Sequence, residues 1–185
     1  MRSVVAHTTP YAWPWDGQLD GSRLALLVVH PRPASGAAPA PVPGRVAAVA
    51  GAVREAGGVV LLVRTTPPDR SAGLPTEPVV TADLVVDAYG VDGFHGSPLD
   101  GVLRAGGRDQ LLLTGAWLET NVHSTMRSAN DRGYECLLVL DACAAYDPGL
   151  RDAARSQIEL SGGIFGAVGT SDPVRSALLP ERTHA

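Results

Sequence analysis

Short, unbroken apolar runs separated by glycine-terminated helical patterns constrain this chain more than any other feature. Leu24–Val29 reads LALLVV, Val59–Val63 reads VVLLV and Cys136–Leu140 reads CLLVL. Each run is too short for a helix and lacks polar alternation, which suits a strand buried on both faces. Leu84–Val86, Leu111–Thr114 and Ile164–Val168 are three further strand candidates. Between the first two runs, Val46, Val49, Ala50 and Val53 repeat with the i, i+3, i+4, i+7 spacing of one helix face inside Gly44–Ala56. Gly57 and Gly58 close that helix. Leu99–Ala105, Leu118–Arg132 and Leu150–Leu160 read as helices by the same signs, and Pro173–Leu179 as a last helical turn. Strand, helix and strand repeated at this spacing predict an α/β fold: a three-layer α/β/α sandwich with a central, mostly parallel six-stranded sheet.

A length of 185 residues implies one domain, with residues 1–22 as an N-terminal extension and residues 31–44 as a Pro/Ala-rich loop. A net charge of −4 with 45% hydrophobic residues excludes a disordered chain and a basic nucleic-acid binder. No apolar run approaches the ~18 residues of a membrane span, so no membrane partner is expected. The opening MRSVVAHTTPYAWPWDG lacks the apolar stretch of a signal peptide, and Cys136 and Cys143 form no disulfide framework. A reduced cytoplasm is therefore the expected compartment. Lysine is absent, and all 15 basic residues are arginine, which excludes Schiff-base chemistry and a Walker phosphate loop.

Ligands of parallel sheets sit beyond the carboxyl ends of the strands. Here those ends carry His30 and Pro31, Arg64 to Thr66, Gly115 to Trp117, and Asp141 to Cys143. The loop over 31–44 and a second Pro-rich connection over 67–78 border the same edge.

The stretch LTGAWLETNVHSTMRSANDRGYECLLVL, residues 113–140, followed by DACAAYDP, resembles the isochorismatase-like cysteine hydrolases and their T-G-x-x-T-x-x-C-V-x-x-T-x-R-x-A pattern. The opening PYAWPWDGQL and the late GGIFGAV resemble the biuret and ureido-amide hydrolase branch of that superfamily. The resemblance implies hydrolysis of amides, ureides or vinyl ethers by an Asp, a Lys and a Cys. Matched residue by residue, His30 stands where the Asp ends the first strand, Ala88 at the Lys position and Asn121 at the Cys position. An amide is no nucleophile, because its nitrogen lone pair is delocalised. A thiolate lowered in pKa by a helix N-terminus and a nearby cation has no counterpart at residue 121.

What remains is polar. His30 is a candidate general acid or base near neutral pH, or a hydrogen-bonded filler of the space left by Asp. Asn121 either donates its amide N–H groups into a pocket or caps the helix through its oxygen. Trp117 matches the second residue of a cis peptide that shapes the family's oxyanion hole, and it either occludes the pocket or stacks on a planar ligand. Ala116, Tyr89 and Asp92 complete the candidate substrate-binding set, with a solvated loop as the alternative for Asp92 and His95. Cys143 is expected to pack and Cys136 to be inert. Only Asp69 lies where some nicotinamidase relatives hold a metal, so neither a metal nor another cofactor is expected. The resemblance also implies a homodimer or homotetramer acting on a small molecule. Two readings stay open: a repurposed enzyme doing non-covalent acid–base chemistry on a small carbonyl compound, and an inactive binding or scaffold protein.

Overall fold

The structure is a computed structural model and describes residues 3–32, 44–66, 80–160 and 162–179. In chain order these form β1 (Leu24–Pro31), α1 (Arg45–Glu55), β2 (Val59–Thr65), β3 (Leu84–Asp87), α2 (Leu99–Ala105) and β4 (Gln110–Ala116). A π-helical turn (Leu118–Val122) then leads into α3 (His123–Asp131), followed by β5 (Glu135–Ala144), α4 (Arg151–Leu160), β6 (Ala167–Gly169) and α5 (Ser171–Leu178). The six strands form one sheet in the order β3-β2-β1-β4-β5-β6. All five ladders are parallel, so the sheet is parallel throughout.

β1 lies at the centre because its sequence can be buried from both sides. Leu24 through Val29 are all wholly buried. Alternation along the strand sends Ala25, Leu27 and Val29 into the core under α2, α3 and α4. Leu24, Leu26 and Val28 enter the opposite core, covered by α1 and α5. Burying a whole Val or Leu side chain contributes roughly 1.5–3 kcal/mol, so this strand anchors both layers.

The N-terminal segment belongs to the second of these cores. Val5, Trp13 and Leu19 are buried in it, and Thr9 pairs with Val168 of β6. Within this segment Trp13 lies in the core and Trp15 is exposed.

Three element boundaries depart from the sequence reading. Pro31 completes β1 instead of opening the loop, and residues 33–43 of that loop lie outside the described residues, as does the 67–78 connection. The helix predicted from Leu118 starts as a π turn and becomes α-helical only at His123. The sixth strand begins at Ala167 instead of Ile164, because 162–165 form turns and Gly166 has a φ of +113°. A Cβ on Gly166 would stand 2.4 Å from the Cys136 carbonyl oxygen, so the chain is still turning at the point where apolar content alone suggested a strand.

Candidate functional site

The carboxyl end of β1 delivers His30, which is wholly buried. In the ladders His30 pairs with Arg64 of β2, and Arg64 pairs with Asp87 of β3. Residues in register share a face of a parallel sheet, so these three form a row, which Arg32 joins two residues further along. Arg64 grips both carboxylate oxygens of Asp87, Nε and Nη2 each donating at 2.7 Å. Arg32 donates to the same carboxylate through Nη2. Burial alone would raise the Asp87 pKa, but the hydrogen bonds and charges of Arg64 and Arg32 outweigh it and hold the carboxyl below its ordinary value. Arg32 Nε is buried without a hydrogen-bond partner among the described residues.

Asn121 approaches from the other side of the sheet, on the π turn. It is almost wholly buried, and its Nδ2 donates to Thr65 Oγ1 at 2.8 Å. Its Oδ1 accepts from Thr120 Oγ1 at 2.9 Å, and its backbone carbonyl accepts from Thr125 Oγ1 at 2.7 Å. Of the two arrangements anticipated for this residue, the helix cap is not the one formed, and one amide N–H is taken by Thr65. It caps no helix end, since neither the π turn nor α3 has a side-chain cap, and the two ends of its amide are occupied by threonines. The reason is spatial: Asn121 lies inside the turn, beside the end of β2, rather than ahead of it. No hydrogen bond joins His30 to Asn121 among the described residues.

The Ala116–Trp117 peptide is cis. Ala116 is buried at the end of β4, while Trp117 is half-buried and meets Tyr146 edge to face, ring centroids 5.4 Å apart. Tyr146 is exposed, and the turn carrying it is tied to the π turn by the Asp147 N–H, which donates to Glu119 Oε1 at 2.8 Å.

Ala88 is buried, and its carbonyl accepts from Thr66 Oγ1 at 2.8 Å. Its small side chain is compatible with the tight β3–α2 loop that follows. There Tyr89 and Asp92, with Gly90, Val91 and His95, line an open cavity of about 310 Å³. The structure groups these two predicted residues with each other and not with Asn121. The loop connects to position 121 only through Gly93, whose N–H donates to Thr125 Oγ1 at 2.9 Å.

Neither cysteine offers a replacement nucleophile. Cys143 is buried, with its thiol against the carbonyl of Val139 at 3.4 Å, and burial pushes its pKa up to about 12. Cys136 is buried and raised further, again by desolvation. His123 packs edge-on to Phe165. Among the described residues no group of three or more His, Cys, Asp or Glu is placed to hold a metal ion. Asp69 lies outside them. No helix among them is long and apolar enough to cross a membrane.

Arg64 and Thr65 are legible in the sequence as edge residues, whereas Asp87 and Arg32 beside Arg64, and Tyr146 beside Trp117, are not. The ladder register pairs Asp87 with Arg64, and no periodicity announces a register.

A parallel sheet in this order, with a π turn after a cis peptide at the central carboxyl edge, defines an α/β protein of the isochorismatase fold. The isochorismatase domain matches residues 28–172, and the chain belongs to that family. Among curated proteins it is similar to the ureidoacrylate amidohydrolase RutB of Methylobacterium radiotolerans, 35% identical over 105 residues. That match takes in 56% of this chain and 40% of the relative, so the chain spans well under half of it. Among solved structures it resembles an isochorismatase family protein from Burkholderia thailandensis, 25% identical, TM-score 0.69, covering 85% of this chain and 96% of that one. The nicotinamidase of Staphylococcus aureus shares the fold at 18% identity and TM-score 0.62, covering 80% of this chain and 99% of that one.

Proposed function

We propose that this chain uses the isochorismatase fold for non-covalent acid–base chemistry, an isomerisation, elimination or cyclisation, on a small carbonyl compound at the carboxyl edge of its sheet. The observation that supports this reading is chemical: residue 121 carries no thiol. Residue 121 is an amide held between Thr65 and Thr120, and both cysteines of the chain are buried with raised pKa values. In this reading a ligand beyond the strand ends is reached by His30 from one face of the sheet, which moves the proton, and by Asn121 from the other, which polarises the carbonyl, while Ala116 and Trp117 form the wall against which a planar compound rests. Tyr89 and Asp92 flank the entrance. The protein works in the cytoplasm as a homodimer or homotetramer, without metal or other cofactor.

The hydrogen bonds of Asn121 to Thr65 and Thr120 favour a second reading, a catalytically inactive binding protein. The two separate on one experiment. Small carbonyl compounds, ureidoacrylate among them, are incubated with the wild type and with His30→Ala while products are followed by mass spectrometry. The acid–base reading expects a rearranged, unhydrolysed product whose formation falls ~100-fold in the variant. Hydrolysis at ordinary enzyme rates overturns both readings, and binding without conversion leaves the second.

A further inference from the structure

Beyond the carboxyl ends of β4 and β5, two aromatic rings form a corner. Trp117 and Tyr146 meet at 84°, ring centroids 5.4 Å apart, so their planes stand as two walls nearly at right angles. Trp117 is half-buried, and Tyr146 is 75% exposed, which carries its wall into solvent. The two turns that present the rings are tied together, because the Asp147 N–H donates to Glu119 Oε1 at 2.8 Å.

The charge beside this corner selects a ligand. Glu119 follows Trp117 by two residues and is bonded to the turn that carries Tyr146. One of its carboxylate oxygens is held there, while Oε2 is buried with no hydrogen-bond partner. A buried acceptor left unpaired is costly, so the group has something to gain from a ligand. No ion pair joins Glu119 or Asp147 to an arginine among the described residues. Asp147 adds a second carboxylate to the same turn, its Oδ1 accepting from the Gly149 N–H at 2.8 Å. Arg151 follows in the chain, but its Nη1 and Nη2 donate to the carbonyls of Cys143 and Leu140 on β5. An anion would meet two carboxylates here. A metal ion would gain no ligand from the aromatic rings. An organic cation suits both parts of the site: its charge is attracted by the faces of the rings, tryptophan above all, and by the carboxylate.

We infer that the Trp117–Tyr146 corner binds the positively charged nitrogen of an organic ammonium ligand, with Glu119 as its counter-charge. The inference rests on the proposed reading for Trp117 as a ligand wall, and deepens it by giving the small carbonyl compound a cationic group. Binding is read without turnover, so the two fail separately. Cation binding with no product leaves this site standing and removes the acid–base chemistry, whereas turnover of a neutral carbonyl compound with no cation binding does the reverse.

The test uses the whole chain, choline as the probe cation, and 3,3-dimethylbutan-1-ol as its uncharged equivalent in shape. The chain's 3 tryptophans each give an indole N–H signal by NMR, and Trp117→Phe identifies the signal of residue 117. At constant ionic strength choline is expected to shift that signal saturably, and the neutral alcohol to bind ~10-fold or more weakly. Glu119→Gln keeps an oxygen for the Asp147 N–H, so the turn survives, and it is expected to lose ~10-fold in affinity. Tyr146→Leu is expected to lose several-fold, whereas Tyr146→Phe, which keeps the ring, binds as the wild type does. Equal binding of alcohol and choline, an unchanged affinity in Glu119→Gln, or no saturable shift of the Trp117 signal overturns the proposal.

Discussion

The two ends of the sheet use their polar residues differently. At the amino end, polar side chains tie the chain's own backbone together. Arg108 Nη1 donates to the carbonyls of Gly21, Ser22 and Gly57 at 3.0, 2.7 and 3.1 Å. Gln110 is wholly buried and satisfied at both ends, donating to the Gln18 carbonyl at 2.8 Å and accepting from Asp20 N–H at 3.1 Å. At the carboxyl end, some polar side chains bind one another, as in Arg64 with Asp87 and Asn121 with Thr65. Arg32 Nε and Glu119 Oε2 are left buried without partners among the described residues. Unfilled hydrogen-bonding capacity is costly to stability.

The sharpest way to break this contrast is to attack the carboxyl end through its backbone. A Cβ on Gly115 would sit 2.0 Å from the Val29 carbonyl oxygen, at a φ of +115°. Gly115→Ala is expected to cost about 4 kcal/mol or more, combining backbone strain with overpacking. Loss of a cooperative thermal transition, or failure to accumulate folded protein, is the readout, and a variant as stable as the wild type would refute the close approach of β4 to β1.

His30→Ala comes next. A ~100-fold loss of rate with a folded protein assigns proton transfer to His30, whereas unchanged function with lowered stability makes it a packing residue. Asn121→Cys sharpens the same point. The new thiol would have neither the Asp nor the Lys of the family, so amide hydrolysis is expected to stay at background. Substantial turnover would show that His30 already serves as a base.

Arg108→Met probes the other end. Losing charge-assisted bonds to several carbonyls is expected to lower stability by about 2 kcal/mol in denaturant titration, with carboxyl-end function unaffected. If function fell in step with stability, the two ends would not be independent.

The smallest effect concerns pH. Burial, helped by the positive charge of Arg127, lowers the pKa of His123 below its ordinary value, and its Nε2 is buried without a described partner. The unfolded chain therefore binds more protons than the folded one below the ordinary histidine value of about 6.5. Stability is expected to be fully present above that pH and to decline as pH falls toward the folded value. His123→Phe flattens this slope in melting curves taken from pH 7 to pH 5, and an unchanged slope would mean that His123 is not the group titrating.

The sequence by itself determined the layers and the edge where the site lies. Continuous apolar runs such as LALLVV have only one stable environment, a strand buried on both faces, and glycine-closed helical patterns between them leave only parallel crossovers. Leu99–Ala105 was legible to the residue, because Gly106 and Gly107 stop it. The chemistry at residue 121 was legible as a residue type, since an amide cannot act as a thiolate in any fold. Tertiary structure alone decided what each polar group touches. Ladder register placed Asp87 beside Arg64, and the bend after Ala116 brought Trp117 to Tyr146. A π turn moved Asn121 from a helix cap to Thr65. Hydrophobic periodicity reports which side of an element is buried. It carries no information on register or on which distant side chain completes a hydrogen bond, and those depend on the way the whole chain closes.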